Sequence, residues 1–217
     1  MNRNINTILF DLDGTLVNTN DLIIASFTDT LNHFYPNKYN REQILQFIGP
    51  PLVDSFNSVD PQRAAELVAH YREHNYRHHD LLVKEYEGVF ETVESLKQQG
   101  YKLGIVSTKI REGIYRGLKA GRIDPFFDVI VGLDDVTAAK PDPEPIHKAL
   151  HLLGSTPAEA MMVGDNHHDI EAGKNAGVLT AGVAWTVKGR EYLNTFNPDY
   201  MLENMRDLLD ILQVKAG

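Results

Sequence analysis

Apolar residues along this chain occur in two kinds of stretch. Short, nearly continuous apolar runs stand at Ile5–Phe10, Lys102–Val106, Phe127–Val131, Ala160–Val163 and Leu179–Val183. Runs of this kind suit strands buried on both faces, as in a parallel sheet. Between them lie segments whose apolar positions recur at helical spacing: Val89–Gln99, Glu112–Ala120, Pro143–Leu153, Asp169–Ala176 and Met205–Leu212. Gly100 and Gly177 stand where helix-ending glycines belong. Tyr200–Leu202 fits a short edge strand. Strands alternating with helices predict an α/β fold, a doubly wound, Rossmann-like parallel sheet covered by helices on both faces.

One region breaks the alternation. From Asn20 to Lys84 there is no strand pattern. Leu22–Phe34 and Pro61–His79 are amphipathic helical stretches with shorter helical pieces between them, punctuated by Pro36, Gly49-Pro50-Pro51 and Pro61. The expected organisation is a discontinuous core, residues 1–16 and 84–217, interrupted after the first strand by a small all-helical insert, residues 17–83.

Polar residues gather where the apolar runs stop. The first strand ends in Asp11-Leu12-Asp13-Gly14-Thr15, two carboxylates and a tight turn. Carboxyl ends of strands are where open α/β sheets bind ligands. The second run ends in Ser107-Thr108-Lys109. Lys140-Pro141-Asp142-Pro143 follows the third. Here Pro141 favours an extended Lys140, Asp142 suits a helix N-cap and Pro143 a first helical position. The fourth run leads into Gly164-Asp165-Asn166-His167-His168-Asp169.

Composition narrows the options. The chain has 217 residues, enough for a sizeable core and one small insert. Its formal net charge of −9 and the lack of a basic stripe disfavour nucleic acid as a partner. An acidic protein that handles phosphate must build a local positive field from lysines and metal. The chain has no cysteine, which fits a reducing cytosol, and no signal-peptide pattern or membrane-length apolar run. A cytoplasmic location is therefore expected.

The four strand-end segments, in this order and over the whole length, resemble the haloacid dehalogenase-like (HAD) phosphotransferase superfamily. The resemblance implies a HAD core with a helical cap. It assigns Asp11 as nucleophile, forming an aspartyl phosphate, and Asp13 as general acid and base. Asp13 also argues for phosphoryl transfer, because dehalogenating members lack the second aspartate. Ser107 and Thr108 would hold the transferring phosphoryl, and Lys140 would screen and stabilise its charge. Mg²⁺ is the implied cofactor, held by Asp11, the Asp13 backbone carbonyl and Asp165, with Asp169 orienting Asp165 or a bound water.

Asn18-Thr19-Asn20, Phe47-Ile48-Gly49-Pro50, His78-His79-Asp80, Gly164 to Asp169 and Trp185-Thr186-Val187-Lys188-Gly189-Arg190 are similar to the bacterial pyrophosphatases of the superfamily. This points to hydrolysis of inorganic pyrophosphate, with a link to dephosphorylation of the phosphocarrier HPr carried over from those enzymes. The alternative is a small organic phosphomonoesterase of the phosphoglycolate phosphatase kind; a non-catalytic phosphate-binding module is the weaker third.

Several residues carry open readings. Lys109 faces the leaving group or is a solvated loop lysine. Arg41, Lys84, His78 and His79 are candidate anion contacts from the insert. His70, His74 and His78 share one helical face, which reads as an exposed polar stripe in preference to a zinc site. His167 and His168 lie inside the fourth segment, close to a metal shell or simply at a helix start. Lys188 and Arg190 read as surface-loop residues.

Overall fold

The computed structural model describes residues 4–214. Its strands are β1 (Thr7–Phe10), β2 (Val17–Asn18), β3 (Lys84–Glu85), β4 (Lys102–Val106), β5 (Val129–Val131), β6 (Ala160–Gly164), β7 (Leu179–Val183) and β8 (Tyr200–Leu202). Six of them form one parallel sheet in the order β5-β4-β1-β6-β7-β8. From β1 the chain builds outward through β4 and β5, then returns and builds the other way through β6, β7 and β8. The direction of winding therefore reverses at β1, and a crevice opens at its carboxyl end.

The helices are α1 (Asn20–Phe34), α2 (Arg41–Gln46), α3 (Leu52–Val59), α4 (Ala64–Leu82), α5 (Val89–Gln98), α6 (Arg111–Ala120), α7 (Glu144–Leu153), α8 (His167–Ala176), α9 (Arg190–Asn194) and α10 (Asp207–Ile211). Side chains alternate across a strand, so β1 feeds two cores. Ile8 and Phe10 pack with Val93 and Leu96 of α5, Ile114 and Leu118 of α6 and Leu208 of α10. Leu9 points the other way, among Ile146 and Leu150 of α7 and Ala172 and Ala176 of α8. Burial on both faces is why these strands read as continuous apolar runs.

Helices α1 to α4 enclose a separate cluster. Phe27, Leu31, Ile44, Phe56, Leu67 and Tyr71 are its buried members, and the Phe27 ring meets those of Phe47, Phe56 and Tyr71. The chain enters and leaves this helical segment through β2 and β3, an antiparallel pair joining Val17 to Glu85 and Asn18 to Lys84. The sequence pattern gave no sign of this two-residue pairing. Among the described residues, no helix is long and apolar enough to cross a membrane.

Element bounds differ from expectation at a few ends. Residues 124–126 form a 3-10 turn, so the strand expected from Phe127 starts at Val129. Pro143, not Asp142, is the N-cap of α7, although the Asp142 side chain still accepts a hydrogen bond from the Glu144 N–H at 2.8 Å. Helix α8 starts at His167, ahead of Asp169, because Asn166 and Asp169 close a capping box between them.

Candidate active site

Asp11 is the first residue past β1, and its N–H donates to the Val163 carbonyl at 2.9 Å. The sheet thus holds its backbone directly beside the end of β6. Its carboxylate is buried and accepts from Lys140 Nζ at 2.7 Å. The same ammonium donates to Asp169 Oδ1 at 2.5 Å and to the Val106 carbonyl at 2.7 Å, which uses all three of its protons. The Lys140–Pro141 peptide bond is cis. A buried lysine fixed at both acids and at the end of β4 is a stationary charge, pre-set at the sheet edge.

Asp165 lies in the β6–α8 connection and Asp169 in the first turn of α8. Asp169 Oδ2 accepts the Asn166 N–H at 3.0 Å while Oδ1 receives Lys140, so both its oxygens are engaged. Asp165 approaches Gly14 so closely that a Cβ there would lie 2.5 Å from Asp165 Oδ2, and Gly14 also has a φ of +81°. Glycine is required at that turn on both counts. One oxygen each from Asp11, Asp165 and Asp169 lie within 4.8 Å of one another, all three residues buried.

These carboxylates outnumber the cation beside them. Burial pushes the Asp11 carboxyl up to about 7, with Lys140 pulling it down and Asp169 and Asp13 adding to the rise. Burial, then Asp11 and Asp169, hold the Asp165 carboxyl well above the ordinary carboxylate range. Burial alone would lower the Lys140 pKa, but Asp11 and Asp169 outweigh it and the lysine stays charged. The site carries surplus negative charge that a proton or a divalent cation must balance. A compact set of hard carboxylate oxygens fits Mg²⁺.

Asp13 belongs to a second pair. Its Oδ1 lies 2.7 Å from Lys109 Nζ. Lys109 is therefore a partly buried partner of Asp13 at the pocket. Ser107 is buried and lines the same pocket, its Oγ accepting from the Lys109 N–H at 3.3 Å. Thr108 also lines it, and its hydroxyl donates to the Gly49 carbonyl at 3.0 Å. On the opposite side, Asn166 Nδ2 donates to the Ile48 carbonyl at 3.2 Å. Two sheet-edge loops thus hold the Ile48-Gly49 loop over the crevice.

The pocket gathers Asp11, Asp13, Ser107, Thr108, Lys140, Asp165 and Asp169. Of the four candidate contacts from the helical segment, only His79 joins them. Arg41 and His78 do not line the pocket, and Lys84 pairs with Asp21 at 3.0 Å. Besides Lys109 and Lys140, two arginines reach it, Arg72 on α4 and Arg116 on α6. Helical periodicity in the sequence offered no signal for either, because it does not say which face of α4 or α6 meets which segment.

The other histidines are placed by packing. His70 and His74 lie 3.2 and 3.1 Å from Thr30 Oγ1 and Ser26 Oγ, so this stripe faces α1 and is partly buried, not exposed. His168 lines the pocket, where burial, followed by His167, Lys188 and Lys140, lowers its pKa to about 3. His167 packs on Phe196 and approaches the Tyr192 hydroxyl at 3.2 Å. Lys188 is half-buried and feels Asp165 and Asp169, unlike the surface-loop residue the sequence suggested. Arg190 does lie at the surface, paired with Glu203 at 2.9 Å.

Comparison with known proteins agrees with this architecture. The model of the haloacid dehalogenase-like hydrolase family matches residues 8–183. Pyrophosphatase PpaX of Anoxybacillus flavithermus is 63% identical over 98% of this chain and 99% of its own length. Pyrophosphatase PpaX of Bacillus cereus is 60% identical over 96% of both. Among solved structures, a haloacid dehalogenase-like hydrolase of Bacteroides fragilis superposes with a TM-score of 0.86 at 27% identity, over 94% of this chain and 99% of that one. A Haemophilus somnus protein designated a predicted phosphoglycolate phosphatase gives 0.81 at 25% identity, over 96% and 98%. With its sheet, its strand-end carboxylates and these relatives, the chain belongs to the haloacid dehalogenase-like hydrolases.

Proposed function

We propose that this hydrolase splits inorganic pyrophosphate into two phosphates, with Mg²⁺ as cofactor and an aspartyl phosphate on Asp11 as intermediate. The observation that carries the phosphoryl-transfer reading is the charge arrangement: buried Asp11, Asp165 and Asp169 around one buried Lys140, open to a pocket. The choice of pyrophosphate follows the pyrophosphatases at 60–63% identity.

Asp11 and Asp165 would hold the metal together with the Asp13 backbone carbonyl. Asp169 is committed to Lys140 and the Asn166 N–H and would orient the others. Bound there, Mg²⁺ supplies charge neutralisation for the carboxylates and for the phosphoryl oxygens. Asp11 attacks phosphorus, an Oδ–P bond forms, and the bond from that phosphorus to the bridging oxygen breaks. Asp13 delivers a proton to the departing phosphate. It then takes a proton from the water that attacks the aspartyl phosphate, which frees Asp11 and the second phosphate. Ser107 would bind the transferring phosphoryl, and the fixed charge of Lys140 beside Asp11 would stabilise the charge that develops on it.

The helical segment, residues 17–83, acts as the cap in this reading. Its Ile48-Gly49 loop, tied to Thr108 and Asn166, closes the crevice and excludes water while Asp11 is attacked. A phosphoglycolate-type monoesterase is the second reading. The apolar Ile23, Phe27, Phe47 and Val53 on the pocket wall favour it, since a carbon skeleton would use them. Acid quenching during turnover, followed by peptide mass spectrometry, tests the intermediate. A phosphate adduct on the peptide holding Asp11, absent in Asp11→Asn, is expected. Turnover with no adduct under any quench, and an active Asp11→Asn, would overturn the mechanism.

A further inference from the structure

Helix α4 carries two polar faces. His70 and His74 turn toward α1, while Tyr71, Arg72, Asn75, Tyr76 and His79 line the pocket. His79 differs from its neighbours. It is 3% exposed, its Nδ1 lies 2.9 Å from Asp80 Oδ1, and its Nε2 is buried without a hydrogen-bond partner. A buried polar atom without a partner is costly and calls for a reason. His79 lines the pocket, so a ligand that closes against this wall can supply the partner.

The ring is braced from the sheet domain. Arg116 Nη2 donates to Asp80 Oδ1 at 3.4 Å and to the Tyr76 carbonyl at 3.1 Å. Arg116 belongs to α6, so the contact ties the end of α4 to the opposite wall of the pocket. Asp80 accepts the Nδ1 proton, which leaves the Nε2 lone pair for whatever enters. Burial first, then Arg116 and Lys109, keep the ring neutral against the pull of Asp80. A neutral imidazole in a pocket that also holds Lys109 and Arg116 favours an anion that carries or attracts one proton.

Position selects which part of the substrate is met. In the functional reading above, the transferring phosphoryl would lie against Asp11, Ser107 and Lys140. His79 lines the same pocket as Lys109, the partner of Asp13, which in that reading serves the leaving group.

We propose that His79, oriented by Asp80 and Arg116, binds the leaving phosphate through Nε2 and so makes the pocket select a diphosphate over a simple monoester. This rests on the pyrophosphate reading above. One proton, brought by the phosphate or taken up from solvent, stands between Nε2 and a phosphate oxygen, and no bond to His79 is made or broken.

Steady-state kinetics on two replacements test it. His79→Asn keeps an amide near the Nδ1 position and removes the atom at Nε2; His79→Gln reaches the Nε2 position. Loss of a hydrogen bond to a charged group predicts a KM for pyrophosphate raised about tenfold or more in His79→Asn. The KM for p-nitrophenyl phosphate should stay within about twofold, and His79→Gln should recover most of the loss. Asp80→Asn, at an exposed position, guards against a variant that does not fold and should raise the pyrophosphate KM about threefold. If the wild type cleaves pyrophosphate and His79→Asn leaves its KM unchanged, or raises both KM values alike, the inference falls and the function stands. If His79→Asn does not fold, an unchanged KM in Asp80→Asn has the same meaning. If the wild type releases no phosphate from pyrophosphate, the functional reading itself fails and the inference goes with it.

Discussion

Replacing Lys140 by methionine removes one ammonium and leaves three acceptors without it: Asp11 Oδ1, Asp169 Oδ1 and the Val106 carbonyl. Methionine matches the lysine stem in length, so the change isolates charge from packing. Breaking a buried ion pair on one side costs about 3–5 kcal/mol, because the orphaned charge stays buried. For a chain of this size each kcal/mol moves Tm by about 2–4 °C, so a fall of roughly 6–20 °C is expected in metal-free buffer at pH 8. The loss should shrink at pH 5, where the orphaned carboxylates take up protons. Lys140 itself, its pKa raised by Asp11 and Asp169, remains charged across that range. Its own contribution would fade only as pH climbs through its folded pKa. Turnover should fall by at least about 10²-fold, the scale seen when a pre-set electrostatic group is deleted. Asp11→Asn combined with Lys140→Met should be less destabilised than Lys140→Met alone, since one orphaned charge is gone. Thermal melts at both pH values and phosphate-release kinetics check each part. A Tm within about 2 °C of wild type at pH 8, with kcat within about tenfold, would refute the claim that Lys140 is the fixed counter-charge of this site.

Three further outcomes are expected. Gly49→Ala combines a φ of +119° with a Cβ 2.4 Å from Asn166 Nδ2, so it should cost about 1–3 kcal/mol in stability and weaken loop closure, read from Tm and kcat. Asp11, raised from 3.8 to about 7, and Asp165, also raised, bind protons in the folded state that the unfolded chain releases. Metal-free stability should therefore fall as pH rises from about 4 to 7, and Mg²⁺ should raise Tm more at pH 8 than at pH 5. Lys109→Met removes the partner of Asp13 at 2.7 Å and should lower kcat for pyrophosphate while leaving Tm nearly unchanged, because that pair is partly solvated.

Much of the sheet and its acidic edge was legible because both are dictated locally. A buried parallel strand needs a continuous apolar run, and Asp11 and Asp165 each follow such a run directly, while Lys140 is marked by the Pro141-Asp142-Pro143 helix start behind it. The short β2–β3 ribbon was not legible: its four residues have no periodicity, and Lys84 and Glu85 are exposed. Nor were Arg72 and Arg116. Each lies on a helix whose pattern fixes the buried face but not which neighbour comes opposite. The histidines of α4 show the same limit. His70, His74 and His78 share a face by spacing alone, yet Ser26 and Thr30 of α1 decide what that face meets. His79, one residue further on, turns into the pocket.

The most direct test of the central claim is phosphate release in Mg²⁺ from pyrophosphate, phosphoglycolate and p-nitrophenyl phosphate, with Asp11→Asn as control. The account predicts a kcat/KM for pyrophosphate at least about tenfold above the other two, abolished by the substitution and by chelation of the metal. Higher kcat/KM for either monoester would contradict the choice of substrate, and undiminished turnover by Asp11→Asn would contradict the nucleophile.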